Sequence, residues 1–328
     1  MFVITRKTEV KSTLTDDSVT FEAKDHLEKA KNKIKGDENW KPQGWGSGEY
    51  LETIPKIKAG VVLNLESGDV IWSMNLKDKI APASLTKVAT VITAIDLQAL
   101  DTQLEVSSQA ASQIPTIIGL KAGEKLTLSE AISAAILTSA NDATEAIASS
   151  IGLMVGNGTA DFEEVVNYKL QKIGARQTHF VTSTGLDDPN HYSTVYDLAI
   201  IAHEALSNYP FVADVADDTY RRLDANSNHP LFDLPNWNAL LGTYPGVNGL
   251  KIGFTEDAGH VNIVSAEREG KKLLSIVIGA KSLEEREIAA ATLLNYGFSK
   301  YNIEPFPVEQ LNLVERYQDW QKQLSSVK

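Results

Sequence analysis

The sequence contains no cysteine. Disulfides, zinc–thiolate sites and thiol catalysis are therefore excluded, and the redox compartment cannot be read from cysteine pairing. Basic residues are also scarce, with 31 Lys and Arg against 43 Asp and Glu, for a net charge of -12. Because phosphate binding needs clustered basic side chains, this balance excludes a nucleic-acid partner.

The N-terminus lacks the apolar core of 7–15 residues that a secretion signal needs, and it is too polar for a membrane span. Residues 1–50 alternate basic and acidic side chains around few large apolar ones, which predicts a flexible N-terminal extension. A charged helix is expected over residues 23–34. A solvated arm is favoured over a spacer or partner contact.

What the sequence does have is Ser84-Leu85-Thr86-Lys87 at the start of an apolar segment. A helix beginning near Ser84 puts Lys87 one turn on, on the same face and within hydrogen-bonding reach of the hydroxyl. A serine hydroxyl needs a neighbouring base, and lysine serves only if its pKa falls, which desolvation among apolar neighbours would achieve. The alternative is a helix-capping serine followed by a solvent-facing lysine.

The remaining pattern places this segment beside a sheet. Residues 59–65 and 70–74 predict a hairpin, and residues 101–240 are mainly helical in pattern, with a polar break at 138–142. Residues 247–254, 259–267 and 272–279 predict antiparallel strands, and 283–296 a closing helix. The tail, residues 303–328, is expected to be helical, with an apolar stripe that favours packing over membrane anchoring: Leu313, Val314, Tyr317, Trp320 and Leu324.

Three motifs stand in order along the chain: Ser84-x-x-Lys87, Ser139-Ala140-Asn141 and Lys251-Ile252-Gly253. The set resembles the penicillin-recognising serine enzymes, which include β-lactamases and penicillin-binding proteins. The flanking sequences resemble the low-molecular-mass D-alanyl-D-alanine carboxypeptidase and endopeptidase family over residues 55–301. They include Ala81-Pro82-Ala83, Leu137-Thr138, Thr178-His179-Phe180, Gly185-Leu186, His191-Tyr192-Ser193-Thr194 and Gly249-Leu250.

The resemblance implies a role for each motif residue. Ser84 would attack a peptide or β-lactam carbonyl and become the acyl-enzyme, and Lys87 would accept its proton. Ser139 would relay a proton to the leaving amine. Asn141 would hold the substrate amide and help to fix Lys87.

The third motif would line the other side of the substrate. Lys251 would bring positive charge opposite the nucleophile, lower the pKa of the base by like-charge repulsion and attract the substrate carboxylate. Gly253, Phe254 and Thr255 would border the bound peptide. The oxyanion hole would consist of the backbone N–H groups of the nucleophile and of Phe254.

The sequence departs from the family pattern at two places. Ile252 stands where the third motif usually has Thr, which removes a hydroxyl that would bind the substrate carboxylate. The residues after Tyr301 are too few for the C-terminal β-domain of many relatives, which favours a one-domain, endopeptidase-like form and leaves a carboxypeptidase open.

Arg286 is a further candidate. In related carboxypeptidases an arginine near the start of the closing helix lies close to the substrate carboxylate, and Arg286 occupies the corresponding place. The alternative is a surface arginine paired with a neighbouring glutamate.

The resemblance implies an α/β fold of the three-layer β-lactamase/transpeptidase-like type. An antiparallel five-stranded sheet would be flanked by helices within a domain at 51–302, with an all-helical subdomain at about 101–240 and a cleft between the lobes. No cofactor or metal is required. A triad or a metal site is disfavoured because no H-x-x-x-H pair occurs among the six histidines: His26, His179, His191, His203, His229 and His260.

The expected partners are peptidoglycan peptides and β-lactams, which requires an extracytoplasmic location. We therefore expect an export segment upstream of Met1, through which the protein would associate with the membrane. Two other functions stay open: a catalytically weak peptidoglycan-binding protein of the same fold, and a β-lactamase. The second is disfavoured because no glutamate is placed as in the class A deacylation motif.

Overall fold

The computed structural model describes residues 16–49 and 51–318, and for residues 16–24 it describes the backbone alone. The helices are α1 Asp16–Lys33, α2 Thr86–Leu97, α3 Ser108–Ala111, α4 Leu128–Leu137, α5 Asn141–Val155, α6 Thr159–Lys172, α7 Val195–Asn208, α8 Pro210–Asp217 and α9 Leu283–Ser299. Short 3₁₀ turns cover Ala83–Leu85 and Val308–Gln310.

The strands are β1 Ala59–Asn64, β2 Val70–Met74, β3 Gln103–Glu105, β4 Lys125–Thr127, β5 Tyr220–Leu223, β6 Phe232–Pro235, β7 Val247–Thr255, β8 Gly259–Arg268 and β9 Lys271–Ala280. Five of them form one antiparallel sheet in the order β2-β1-β9-β8-β7. The predicted α/β class and five-stranded sheet are confirmed. Two small antiparallel pairs, β3–β4 and β5–β6, interrupt the stretch expected to be all-helical.

The sheet is buried on both faces, because successive strand residues point to opposite sides. On β9, Leu274, Ile276 and Ile278 belong to the core shared with the helical lobe. Their neighbours Leu273 and Val277 belong to the core under α9. The result is three layers: α9, the sheet and the helical lobe. The sheet is thus held between helices on its two faces.

The N-terminal segment lies against the body along residues 25–49, where composition predicts a solvated arm. Ala30 and Ile34 are buried. Residues 43–47 run parallel to the edge strand β2. The N–H of Ser47 donates to the Ile71 carbonyl in β2, and the N–H of Gln43 donates to the Gly68 carbonyl just before it. An unpaired sheet edge offers a row of free donors and acceptors, and this segment satisfies them. Residues 1–15 of the predicted extension lie outside the described residues.

A buried lysine ties this segment to the helical lobe. Lys169 donates to the carbonyl of Lys35 and forms ion pairs with Asp96 at 3.2 Å and Glu204 at 2.7 Å. Its side chain is fully buried, so these partners replace the water that a buried ammonium loses. The lysine thus binds the backbone of the N-terminal segment and, among the described residues, none of its charged side chains.

The C-terminal tail also packs on the body as far as it is described. Leu311 and Leu313 are buried, Tyr317 packs against the core under α9, and residues 313–318 are helical. Trp320 and Leu324 of the predicted stripe lie outside the described residues. Across residues 16–49 and 51–318, no helix combines the length and hydrophobicity needed to cross a bilayer.

Candidate active site

Ser84 lies in the 3₁₀ turn that leads into α2. The preceding residue, Ala83, has a φ of 49°, a left-handed conformation that non-glycine residues rarely adopt. The turn is closed from the other side by Gly185, whose φ is 87°. A Cβ at Gly185 would lie 1.9 Å from the Ala83 carbonyl oxygen, so only glycine fits. The nucleophile turn is thus held in a strained shape by close packing.

Lys87 lies one turn after Ser84 with its Nζ 2.8 Å from the serine Oγ. The amine also lies 2.8 Å from Oδ1 of Asn141 and 2.7 Å from the carbonyl oxygen of Thr184. A neutral amine has two N–H groups for those two acceptors and one lone pair for the serine O–H. The three contacts therefore suit a base that waits for the proton of Ser84.

Burial lowers the pKa of Lys87 to about 7, and the charge of Asp142 opposes the shift. The side chain is fully buried among apolar neighbours such as Val88 and Leu85. Desolvation penalises the ammonium form, so a large share of the amine is neutral near pH 7.

The second motif lies between α4 and α5. Ser139 has a φ of 60°, and the change of direction there lets Asn141 begin α5 at the cleft. The backbone N–H of Asn141 donates to the carbonyl of Thr116, and its Nδ2 donates to the carbonyl of Ile114. One side chain thus fixes Lys87 and the loop that forms a wall of the cleft.

The third motif lies on β7, against the nucleophile turn. A Cβ at Gly253 would lie 2.8 Å from the backbone nitrogen of Ser84, so glycine permits this close approach. Lys251 is buried and its Nζ donates to the carbonyl of Ile252 at 2.9 Å. Burial first, and then the charges of Lys87 and Arg286, lower the pKa of Lys251 well below its usual value. The repulsion between the two lysines is mutual, so each disfavours the charged form of the other.

These motifs border one cleft of about 250 Å³. Of the predicted site residues, the two lysines are buried behind its surface, and the others line it: Ser84, Ser139, Asn141, Gly253, Phe254, Thr255 and Arg286. Phe254 is 50% exposed and stacks at an angle on His260. Ile252, the departure from the family motif, also lines the cleft.

Arg286 is buried at the start of α9, with only 1% of its surface exposed. Its Nη2 donates to Glu287, so it does pair with a neighbouring glutamate, although the pair is buried rather than on the surface. Among the described residues, its Nε and Nη1 have no hydrogen-bond partner. A buried guanidinium with free donors is a ready binder of an anion in the cleft.

Sequence reasoning missed several contributors. The Thr184 carbonyl, which receives a hydrogen bond from Lys87, carries no side-chain signal. Asp142 accepts from the backbone N–H groups of residues 118, 119 and 120 and so braces the cleft wall. Trp237 lines the cleft from a loop far away in sequence.

His191 was noted as a family flank without a role. Its Nδ1 accepts from the backbone N–H of Val181 at 3.1 Å, which leaves Nε2 to donate to Oγ1 of Thr86 at 2.8 Å. Burial lowers its pKa to about 4, so the imidazole is neutral. It connects the nucleophile helix to the loop that supplies the Thr184 carbonyl.

Comparison with known proteins agrees with this geometry. The family model for D-alanyl-D-alanine carboxypeptidases, peptidase family S11, matches residues 51–282. The chain belongs to this family. Among its relatives is the D-alanyl-D-alanine carboxypeptidase DacF of Bacillus subtilis, 31% identical over 77% of this chain and 65% of the relative. The match thus spans less than two thirds of DacF.

Solved structures of the family share the fold. One is penicillin-binding protein D2 from Listeria monocytogenes in its ampicillin-bound form, with a TM-score of 0.62 and 29% identity over 77% of this chain and 99% of that one. Another is the Streptomyces K15 DD-transpeptidase, with a TM-score of 0.69 and 25% identity over 75% of this chain and 99% of that one. The resemblance inferred from the motifs is confirmed.

Proposed function

We propose that the chain is a serine DD-peptidase that acts on peptidoglycan stem peptides through an acyl-enzyme on Ser84 and is acylated by β-lactams. The observation that carries the proposal is the buried Lys87 amine, 2.8 Å from the Ser84 hydroxyl, with its pKa lowered to about 7. Few structural lysines are neutral near pH 7, and a neutral amine beside a serine is an activated nucleophile.

The first step forms a bond between Ser84 Oγ and the carbonyl carbon of the penultimate D-alanine. The serine proton moves to Lys87 Nζ as this bond forms. The developing oxyanion accepts hydrogen bonds from the backbone N–H groups of Ser84 and Phe254, an arrangement supported by the close approach of Gly253 to Ser84.

The second step breaks the carbonyl carbon–nitrogen bond. The leaving amine takes the proton that Lys87 accepted, relayed through Ser139, which lines the same cleft, and Lys87 is neutral again. A water then attacks the ester carbonyl with Lys87 again as the base, which releases the shortened peptide and returns the proton to Ser84. Asn141 keeps the base in place through both steps.

The substrate carboxylate is bound by Arg286 with Lys251 behind it. Arg286 lines the cleft and has free donors, whereas Ile252 offers no hydroxyl. A bound carboxylate would also favour the ammonium form of Lys251, because opposite charge raises a lysine pKa. Arg286 is therefore the main group left to bind the carboxylate where the threonine hydroxyl is missing.

Slow release of β-lactams follows from the cleft composition. None of the described residues that line the cleft is acidic, so a carboxylate base for rapid deacylation, as in class A β-lactamases, is not at hand. This favours a penicillin-binding peptidase over a β-lactamase. Its peptidoglycan substrate implies that the protein works on the outer side of the cytoplasmic membrane.

The test is covalent labelling by a fluorescent penicillin. The parent protein should form a stable adduct that disappears in Ser84→Ala, and mass spectrometry of digested muropeptides should detect released D-alanine or cleaved cross-links. A folded parent protein that takes no label would overturn the proposal. Saturable binding to sacculi without any change in muropeptides would instead support the binding-protein alternative.

A further inference from the structure

At the start of α9, the side chains of two consecutive residues form an ion pair that helix geometry alone does not produce. Arg286 and Glu287 are consecutive, and consecutive helical residues point about 100° apart, so their side chains do not normally meet. Nevertheless Nη2 of Arg286 donates to Oε1 of Glu287, with both side chains buried. Contacts from outside the helix must hold the glutamate in place.

Two other elements anchor Glu287. Its Oε2 accepts from Nδ2 of Asn262 on β8 at 3.1 Å, and its Oε1 lies 3.4 Å from the backbone nitrogen of Ala239. Asn262 pairs across the sheet with Ile252 of β7, which lines the cleft. The glutamate is therefore connected to the sheet that carries the third motif.

This anchoring occupies one nitrogen of Arg286, Nη2, and leaves the other two, Nε and Nη1, without a partner among the described residues. A guanidinium is planar and rigid, so fixing one nitrogen fixes the direction of the others. Without the glutamate, no hydrogen bond among the described residues would fix the direction in which the guanidinium donors point.

We propose that Glu287 and Asn262 are positioning residues that orient Arg286 and so set the preference of the cleft for substrates with a C-terminal carboxylate. This inference rests on the proposed function and on Arg286 as the carboxylate-binding residue. Neither positioning residue touches the substrate. Each acts through Arg286, and the two form one chain of hydrogen bonds from β8 to the cleft.

The experiment compares two peptides that end in D-alanyl-D-alanine, one with a free carboxylate and one with a C-terminal amide. The measured quantity is the ratio of their kcat/KM values, with product release followed by mass spectrometry. A general loss of stability lowers both values together and leaves the ratio unchanged. A misdirected Arg286 lowers the value for the carboxylate peptide alone.

Asn262→Leu is the principal variant. It removes the N–H group that holds Glu287, and leucine suits the apolar sheet at this position, where Asn262 Oδ1 has no partner among the described residues. We expect the ratio to fall about tenfold and the amide peptide to change less than twofold. Glu287→Gln should also lower the ratio, because an amide oxygen binds a guanidinium less strongly than a carboxylate.

Thr292→Val is the matched control. It replaces another buried polar side chain on α9, with a hydroxyl that has no partner among the described residues, and should leave the ratio unchanged. An unchanged ratio in Asn262→Leu and Glu287→Gln overturns the positioning role. So does a rise in Glu287→Gln, since Glu287 would then act only by offsetting charge.

The variant Arg286→Ala distinguishes a failure of the positioning role from a failure of Arg286 as the carboxylate-binding residue. If Arg286→Ala collapses the ratio and the two positioning variants do not, only the positioning role fails. If Arg286→Ala leaves the ratio unchanged, the assignment of Arg286 fails and the positioning role fails with it. A parent protein that processes neither peptide and takes no penicillin overturns the peptidase function itself.

Discussion

The lowered pKa of Lys87 makes the rate of acylation depend on pH in a way that an ordinary lysine would not. With a pKa of about 7, half of the amine is neutral at pH 7. The neutral fraction falls to roughly one tenth at pH 6 and roughly one hundredth at pH 5. A solvent-exposed lysine would instead gain neutral amine up to about pH 10.

The assay is the second-order rate constant for labelling by a fluorescent penicillin between pH 5 and pH 10. Its logarithm should rise with a slope of one below pH 7 and flatten above it. Circular dichroism at each pH confirms that the protein is folded. In Asp142→Asn the midpoint should move to lower pH, because the charge of Asp142 raises the pKa of Lys87.

A rate that continues to rise from pH 7 to pH 10 would refute a neutral Lys87 as the base. Stability supplies an independent check. The pKa of Lys87 in the folded protein lies below that of the unfolded chain, which therefore binds more protons between about pH 7 and pH 10.5. The contribution of Lys87 to the free energy of unfolding thus rises with pH across that window, by at most about 1.4 kcal/mol per unit.

Three further substitutions and one titration test the site. Gly185→Ala places a Cβ 1.9 Å from the Ala83 carbonyl oxygen, so acylation should fall more than about tenfold, with a lower Tm. Arg286→Ala should slow acylation by carboxylate-bearing substrates roughly ten- to a hundredfold. Ile252→Thr should raise D-alanine release by restoring a hydroxyl to the cleft. His191 has a pKa of about 4 in the folded protein, so the unfolded chain binds more protons between pH 4 and pH 6.5. The contribution of His191 to the free energy of unfolding should therefore fall as the pH drops through that window, by up to about 3 kcal/mol. Urea unfolding at each pH measures it.

Each of these has a contrary result. Normal acylation in Gly185→Ala would mean that the nucleophile turn relaxes without cost. If penicillin and peptide acylate Arg286→Ala as fast as they acylate the parent protein, Lys251 would be the residue that binds the substrate carboxylate. A peptidase rate in Ile252→Thr equal to that of the parent would make the missing hydroxyl irrelevant. For His191, replacement by Gln should reduce the fall in the free energy of unfolding between pH 6.5 and pH 4. An unchanged fall would mean that other groups cause it.

Local patterns in the sequence were enough to predict that the side chains of Ser84 and Lys87 meet. A Ser-x-x-Lys spacing puts both side chains on one helical face whatever surrounds them, and the structure has them 2.8 Å apart. Apolar runs separated by short turns likewise predicted the strands of the sheet, and continuous burial along β1 and β9 is typical of strands covered on both faces. Motif order then sufficed for the family.

Other features depend on residues that are distant in sequence. The charged composition of residues 25–49 predicts a solvated arm, yet Lys169 and the edge of β2 bind that segment to the body. Burial is the largest cause of the lowered pKa of Lys87, and the packing that removes water from it involves residues distant in sequence.

The orientation of the Arg286 side chain could not be predicted from the sequence for the same reason. A helical arginine followed by glutamate reads as a surface pair, and consecutive helical residues do not face each other. Asn262 on β8 and the backbone of Ala239 bring Glu287 under Arg286. The spacing of residues along one helix or strand was enough to identify the candidate site residues. Burial and hydrogen bonds between elements, which only tertiary packing creates, decided their charge and their direction.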